Sequence, residues 1–159
     1  MVSVVADISG SREISRRALV VGGGAVMLSL VSPARAAPDE MREAMRAALG
    51  DGPFGEGRIR LDIPALVENG NSVPLTITVD SPMTATDHVT SIHIFSPENP
   101  LPDISRFKLG PRCGKAEVRT TIRLATTQFL HVVAVMSDGT RWLQTAEVEV
   151  TTAACFDPT

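Results

Sequence analysis

Tyrosine is absent from this 159-residue chain, tryptophan occurs once, and aromatic residues make up only 4% of it. Without tyrosine there can be no hydroxyl-anchored corner of the antibody type. Cysteine is nearly as scarce, with Cys113 and Cys155 alone, and their spacing is not that of an inter-sheet bridge. Three histidines, His88, His93 and His131, stand at no metal-site spacing, so no metal is expected. No Gly-x-Ser-x-Gly context exists for a hydrolase triad, and no acid/base pair is visible. Gly22-Gly23-Gly24 belongs to the leader described next and is no phosphate loop. The sequence therefore reads as that of a protein without catalysis of its own.

What is present begins with an export signal. Arg16-Arg17 precedes a mildly apolar, glycine-rich stretch to Val31, and Pro33-Ala34-Arg35-Ala36 closes it with small residues. The stretch is too short and too rich in glycine to span a bilayer stably, and its form predicts a twin-arginine (Tat) signal peptide over residues 1–36. Removing it leaves 11 of the 15 Lys+Arg and 16 of the 18 Asp+Glu, a net charge of −5 with histidine neutral. An acidic body of this kind offers no footprint for nucleic acid or an anionic membrane. No later apolar run is long enough to span. The expectation is one periplasmic domain over residues 37–159, in a compartment where disulfides are permitted.

Pro38 to Gly50 reads as a short helix, with Pro and acids in the first turn and a glycine stop. Met41, Met45, Ala48 and Leu49 share one face, which predicts docking on the domain body rather than metal binding. From Gly57 the period becomes two. Ile59, Leu61 and Ile63 alternate with Arg58, Arg60 and Asp62, and Pro64 ends that run. Further strands are predicted at Val73–Asp80, Val89–Phe95, Ile104–Leu109, Ala116–Leu124, Gln128–Met136 and Arg141–Thr151. Glu68-Asn69-Gly70-Asn71 and Ser137-Asp138-Gly139-Thr140 are read as turns, and Cys113 falls in another. His93 and His131 lie inside strands, where a packed or half-exposed imidazole is the usual outcome. Trp142, just past a hairpin turn, is expected to anchor a core or an interface. About seven evenly spaced strands behind a short N-terminal helix predict an all-β, immunoglobulin-like antiparallel sandwich.

The last strand runs into Thr152-Ala153-Ala154-Cys155 and the chain stops four residues later, at Thr159. A thiol so close to a terminus is easily presented to a partner. Several segments together resemble the SoxY carrier subunits of bacterial thiosulfate oxidation. They are Leu66-Val67-Glu68-Asn69-Gly70-Asn71-Ser72-Val73-Pro74-Leu75-Thr76, Val79-Asp80-Ser81-Pro82-Met83-Thr84, Ile92-His93-Ile94-Phe95 with Asn99-Pro100, Thr121-Ile122-Arg123-Leu124-Ala125, and Met136-Ser137-Asp138-Gly139. The resemblance implies a carrier that pairs with a SoxZ-like subunit and is acted on by periplasmic sulfur-oxidising enzymes. It implies no cofactor beyond a covalently held sulfur intermediate, and it sets Cys155 at the carrier position. In the family that cysteine sits in a Gly-Gly-Cys-Gly-Gly arm. Here Ala153 and Ala154 stand for the first two glycines, and Phe156 and Asp157 for the last two.

Alanines keep the arm slim but stiffen it. Asp157 sets negative charge beside the thiol, which disfavours the thiolate and repels anionic sulfur species. Three readings of Cys155 are open from sequence: a sulfur-carrying thiol, a disulfide partner of Cys113, or a surface cysteine that is idle or used between chains. The carrier reading leads. The other functional class is a structural or interaction subunit associated with a periplasmic quinoprotein dehydrogenase, with the cysteine locked or idle.

Overall fold

The computed structural model describes residues 38–152. Arg16, Arg17 and Cys155 lie outside the described residues.

The helix α1 (Pro38–Leu49) carries Asp39 and Glu40 in its first turn and Arg46 in its last, the arrangement its dipole favours. It ends where Gly50, at φ 74°, turns left-handed and donates its N–H to the Arg46 carbonyl at 2.7 Å. Twelve residues are too few to hold a helix in water unaided. Docking supplies the rest: Met41 is buried against Phe95 and Val133, with Ala44, Met45, Ala48 and Leu49 around it.

Eight strands follow: β1 (Ile59–Asp62), β2 (Leu66–Val67), β3 (Val73–Val79), β4 (Val89–Phe95), β5 (Asp103–Lys108), β6 (Glu117–Ile122), β7 (Gln128–Met136) and β8 (Arg141–Val150). They form two sheets, ordered β1-β3-β6 and β2-β8-β7-β4-β5. Alternation decides which faces meet. Val73, Leu75, Ile77 and Val79 of β3 turn toward Ile92 and Ile94 of β4 and Leu130, Val132, Ala134 and Met136 of β7, and all are buried in one core. The protein is an immunoglobulin-like β-sandwich with one short helix, as the strand pattern predicts.

Two details depart from that pattern. An eighth strand, β2, pairs in parallel with β8 through Leu66↔Glu149 and Val67↔Val150. Two residues are too few to show alternation, so this segment reads locally as the start of a turn. The second half of β4 is buried on both faces, because α1 covers the outer face of the larger sheet at Phe95. His93, on that outer face, is thereby 7% exposed.

The β7–β8 hairpin closes as its residues dictate. Gly139 sits at φ 83°, and Asp138 accepts from the Thr140 N–H at 2.8 Å and its hydroxyl at 2.7 Å. Those bonds hold the Asp138 carboxyl below its ordinary range. Trp142 packs against the core edge, with the Arg58 guanidinium 4.7 Å from its ring centre. Gly55 lies so near this ring that a Cβ would come within 2.8 Å of it.

Arg141 ties α1 to the sheet. Its guanidinium donates to the carbonyls of Leu49, Gly50 and Asp51, each at 2.8 Å, and lies over the Phe54 ring. The Leu49 carbonyl is one that a helix end leaves without an internal partner, and Gly50 and Asp51 continue the chain past it. Arg141→Ala is expected to destabilise the fold by about 1.5–3 kcal/mol, the scale of hydrogen bonds to a charged group. Urea unfolding followed by circular dichroism checks it, and an unchanged midpoint would remove Arg141 from this role.

Candidate functional site

The end of the sandwich where β8 stops is the place to which the sequence points. Here β8 outruns its neighbour: the β7 ladder ends at Gln128↔Val148. Beyond it, successive backbone N–H groups are taken by other parts of the chain. Glu149 donates to the Ala65 carbonyl at 2.8 Å, Thr151 to Val67 at 3.0 Å, and Thr152 to Glu68 at 3.2 Å. The Val150 N–H goes to the Thr127 hydroxyl at 2.9 Å. Gly70 then bridges: its N–H reaches the Thr152 carbonyl at 2.9 Å, and its own carbonyl accepts from Leu124 at 2.8 Å. Asn69 shapes this turn by accepting the Asn71 N–H on its side chain at 2.9 Å.

Beside this lies a buried polar cluster centred on Gln128, which is 4% exposed. Its side-chain oxygen accepts from the fully buried Ser96 hydroxyl and from the Glu98 N–H at 3.1 Å. Its amide nitrogen donates to the Asn99 side chain at 3.1 Å and the Thr126 carbonyl at 3.2 Å. Asn99 in turn accepts from the Ala125 N–H at 2.9 Å and donates to the Arg123 carbonyl at 2.8 Å. The loop after β4 and the turn between β6 and β7 are thus joined through one glutamine. A shallow groove of about 400 Å3 opens between the edge strands β5 and β6, with Leu101 on its rim.

The sequence-derived site residues fall as follows. Cys155 lies outside the described residues, three positions past Thr152. Cys113 is exposed in a 3₁₀ turn, Pro111–Cys113, before β6, with no disulfide partner among the described residues. That turn and Thr152 flank opposite ends of β6, since Ala116 bonds to Val79 at one end and Leu124 to Gly70 at the other. From Ala116 to Leu124 an extended chain rises about 26 Å.

Among the described residues, no group of three or more His, Cys, Asp or Glu side chains is placed to hold a metal. No helix among them is long and apolar enough to cross a membrane. What sequence reasoning missed is the seating of the arm's root. Glu68-Asn69-Gly70-Asn71 was legible as a turn, but nothing local shows that the turn grips a strand some eighty residues away.

Buried His93 and half-buried His131 bear on stability rather than on chemistry. His93 Nε2 meets the Ser91 hydroxyl at 3.0 Å, its ring stacks on Phe95, and its Nδ1 is buried with no hydrogen-bond partner among the described residues. Burial holds its pKa below the ordinary value, Arg106 adds to this, and Asp103 partly opposes it. Burial likewise lowers His131, whose Nδ1 lies 3.1 Å from the Thr145 hydroxyl. The unfolded chain takes up these protons near pH 6.5, before the folded chain does. Their contribution to stability is complete above about pH 6.5 and is lost as pH falls from there through the folded values. Thermal unfolding at pH 7.5 and 5.5 should show a smaller drop in Tm for a His93→Gln/His131→Gln double variant than for the parent. Equal drops would count against it.

Comparison with known proteins completes the description. Residues 45–155 match the family model for sulfur oxidation protein SoxY. No curated protein matches the chain. Among solved structures, the sulfur carrier protein SoxY from Chlorobium limicola f thiosulfatophilum is 33% identical with a TM-score of 0.60, covering 72% of this chain and 98% of that one. Two superoxide reductases share the fold alone. That from Ignicoccus hospitalis has 18% identity and a TM-score of 0.52, over 74% of this chain and 95% of its own. That from Nanoarchaeum equitans has 12% identity and a TM-score of 0.51, over 60% of this chain and 100% of its own. With the family match spanning most of its length and 33% identity to a solved member over 72% of the chain, this chain belongs to the SoxY family of sulfur oxidation proteins.

Proposed function

We propose that this protein is the sulfur-carrier subunit of a thiosulfate-oxidising (Sox) system, holding sulfur intermediates covalently on Cys155. Residues 1–36 act as a Tat leader through Arg16 and Arg17, and residues 37–159 work in the periplasm, paired with a SoxZ-like subunit. The observation that carries the reading is the likeness to a solved sulfur carrier, joined to a cysteine placed just past the end of a firmly seated strand.

The chemistry asked of this chain is limited to offering a thiolate. Joining the Cys155 thiolate to the outer sulfur of thiosulfate forms one S–S bond and releases two electrons. A redox centre in a partner enzyme takes them, and later hydrolysis of the bound group falls to a partner as well. The protein is a carrier that enzymes act on.

Mass spectrometry of protein recovered from thiosulfate-grown cells tests the proposal. Sulfur adducts are expected on the peptide containing Cys155 and not on the one containing Cys113. An unmodified Cys155 in such samples would argue decisively for a passive subunit instead.

A further inference from the structure

We propose that the half of the larger sheet's outer face built from Leu66, Phe129, Glu147 and Glu149 docks a different protein, one presenting apolar side chains ringed by lysine or arginine. The inference goes beyond the carrier reading and holds whether or not sulfur is carried.

Strand register fixes which side chains share this face. Val133 of β7 pairs with His93 of β4 and Leu143 of β8, His131 pairs with Phe95 and Thr145, and Phe129 pairs with Glu147. Leu66 of β2 pairs with Glu149. Because side chains alternate, all of these point away from the core that Leu130 and Val132 enter. The helix α1 covers part of the face: Val133 is buried with Met41, and Leu143 packs beside them. Cover then falls away along both strands. His131 and Thr145 are half-buried, and Phe129, Glu147 and Glu149 are exposed. Phe129 is 52% exposed although it stands on the central strand of its sheet, and Leu66 on the edge is 57% exposed.

The smaller sheet shows what a face kept for water looks like. Its outer side carries Arg60 and Asp62 on β1, Thr76 and Thr78 on β3, and Glu117 and Arg119 on β6. Every one of these is polar, as expected for a sheet with one wet face. The open half of the larger sheet departs from that pattern. Leu66 and Phe129 are two of the three large apolar side chains exposed among the described residues, and they flank Glu147 and Glu149 on β8. Exposed apolar groups gathered on one face and rimmed by charge mark an interaction surface.

Charge selects the occupant. Glu147 and Glu149 form no ion pair among the described residues. In a two-fold dimer the same acidic patch would come from both sides, and like charges would oppose the contact. An apolar centre with a basic rim answers both the exposed side chains and the unpaired carboxylates.

The test replaces Phe129 with the photo-crosslinking analogue p-benzoylphenylalanine in the full chain, produced in its native host. Irradiation should join it to one other polypeptide. Mass spectrometry of the joined peptide should find lysine or arginine within a few residues of the attachment point. Glu147→Lys/Glu149→Lys is expected to cut the yield by about fivefold or more, and Glu147→Gln/Glu149→Gln by about threefold. The glutamine pair removes charge with little change of shape and decides the matter should charge reversal unfold the chain. Asp62→Lys/Asp80→Lys, the same charge change at exposed positions of the smaller sheet, should leave the yield within about twofold. A crosslink to a second copy, or to residues 1–37 or 153–159 of the same chain, would overturn the proposal by naming another occupant. So would no crosslink, or a yield indifferent to both glutamate pairs. Sulfur loading does not enter this readout, so the docking face and the carrier reading fail separately.

Discussion

Cys155→Ser is expected to abolish sulfur loading and growth on reduced sulfur compounds while leaving the fold intact. Loading needs an S–S bond, and a serine hydroxyl forms none; it also stays protonated at every pH at which the protein is folded. The position follows the last strand in sequence, three residues past Thr152, and the stability change is expected to stay within about 0.5 kcal/mol. Cys113→Ser is the matching control. Cys113 is exposed at the opposite end of β6 and is expected to be dispensable for loading. Growth of the Cys155→Ser strain at the parental rate would end the carrier proposal. The subunit would then be a structural partner, as of a quinoprotein dehydrogenase.

Gln128→Ala should produce the largest loss of stability among substitutions near the arm. One side chain at 4% exposure holds two donors and two acceptors from the loop after β4 and the turn before β7. Truncation leaves the Ser96 hydroxyl buried with no bond to Gln128, and opens a cavity beside it. An unmade buried hydrogen bond costs about 1–3 kcal/mol, and the lost volume adds to it, for a total of about 2–4 kcal/mol. For a domain of this size the expected fall in Tm is about 10 °C. Gln128→Glu tests the hydrogen bonds with little change of volume, since a carboxylate cannot donate to Asn99 and Thr126. Gln144→Ala is the comparison: its amide donates only to the Thr145 carbonyl, at 3.2 Å, and little should change. A Gln128→Ala variant melting within 2–3 °C of the parent would show that the loops hold each other without it.

How far each feature could be read from sequence follows the range of the force behind it. Val73, Leu75, Ile77 and Val79 announced β3, and Leu130, Val132, Ala134 and Met136 announced β7, because burial on one face of a strand imposes a period of two. The helix face of Met41, Met45, Ala48 and Leu49 was legible in the same way. Its landing place was not, because Phe95 and Val133 sit on strands whose own alternation points mainly to the other face. The burial of His93 under that cover was therefore invisible as well. Pro38, Gly50 and Gly139 marked ends and turns correctly, since backbone angles act within a few residues. Asn99 belongs to the family pattern, yet its bonds to Arg123, Ala125 and Gln128 exist only once two distant loops meet.

From the chain of letters alone came the strand count to within one, the sandwich and the family, since all of these rest on local periodicity or on ordered residues. Three-dimensional packing alone decided that Leu66 and Val67 join β8, that α1 lands on Phe95 and Val133, and that Gly70 bonds to Thr152. The first and last of these depend on backbone hydrogen bonds between segments far apart in sequence. Every residue type offers the same N–H and C=O groups, so no spelling of side chains announces such a bond before the chain has folded.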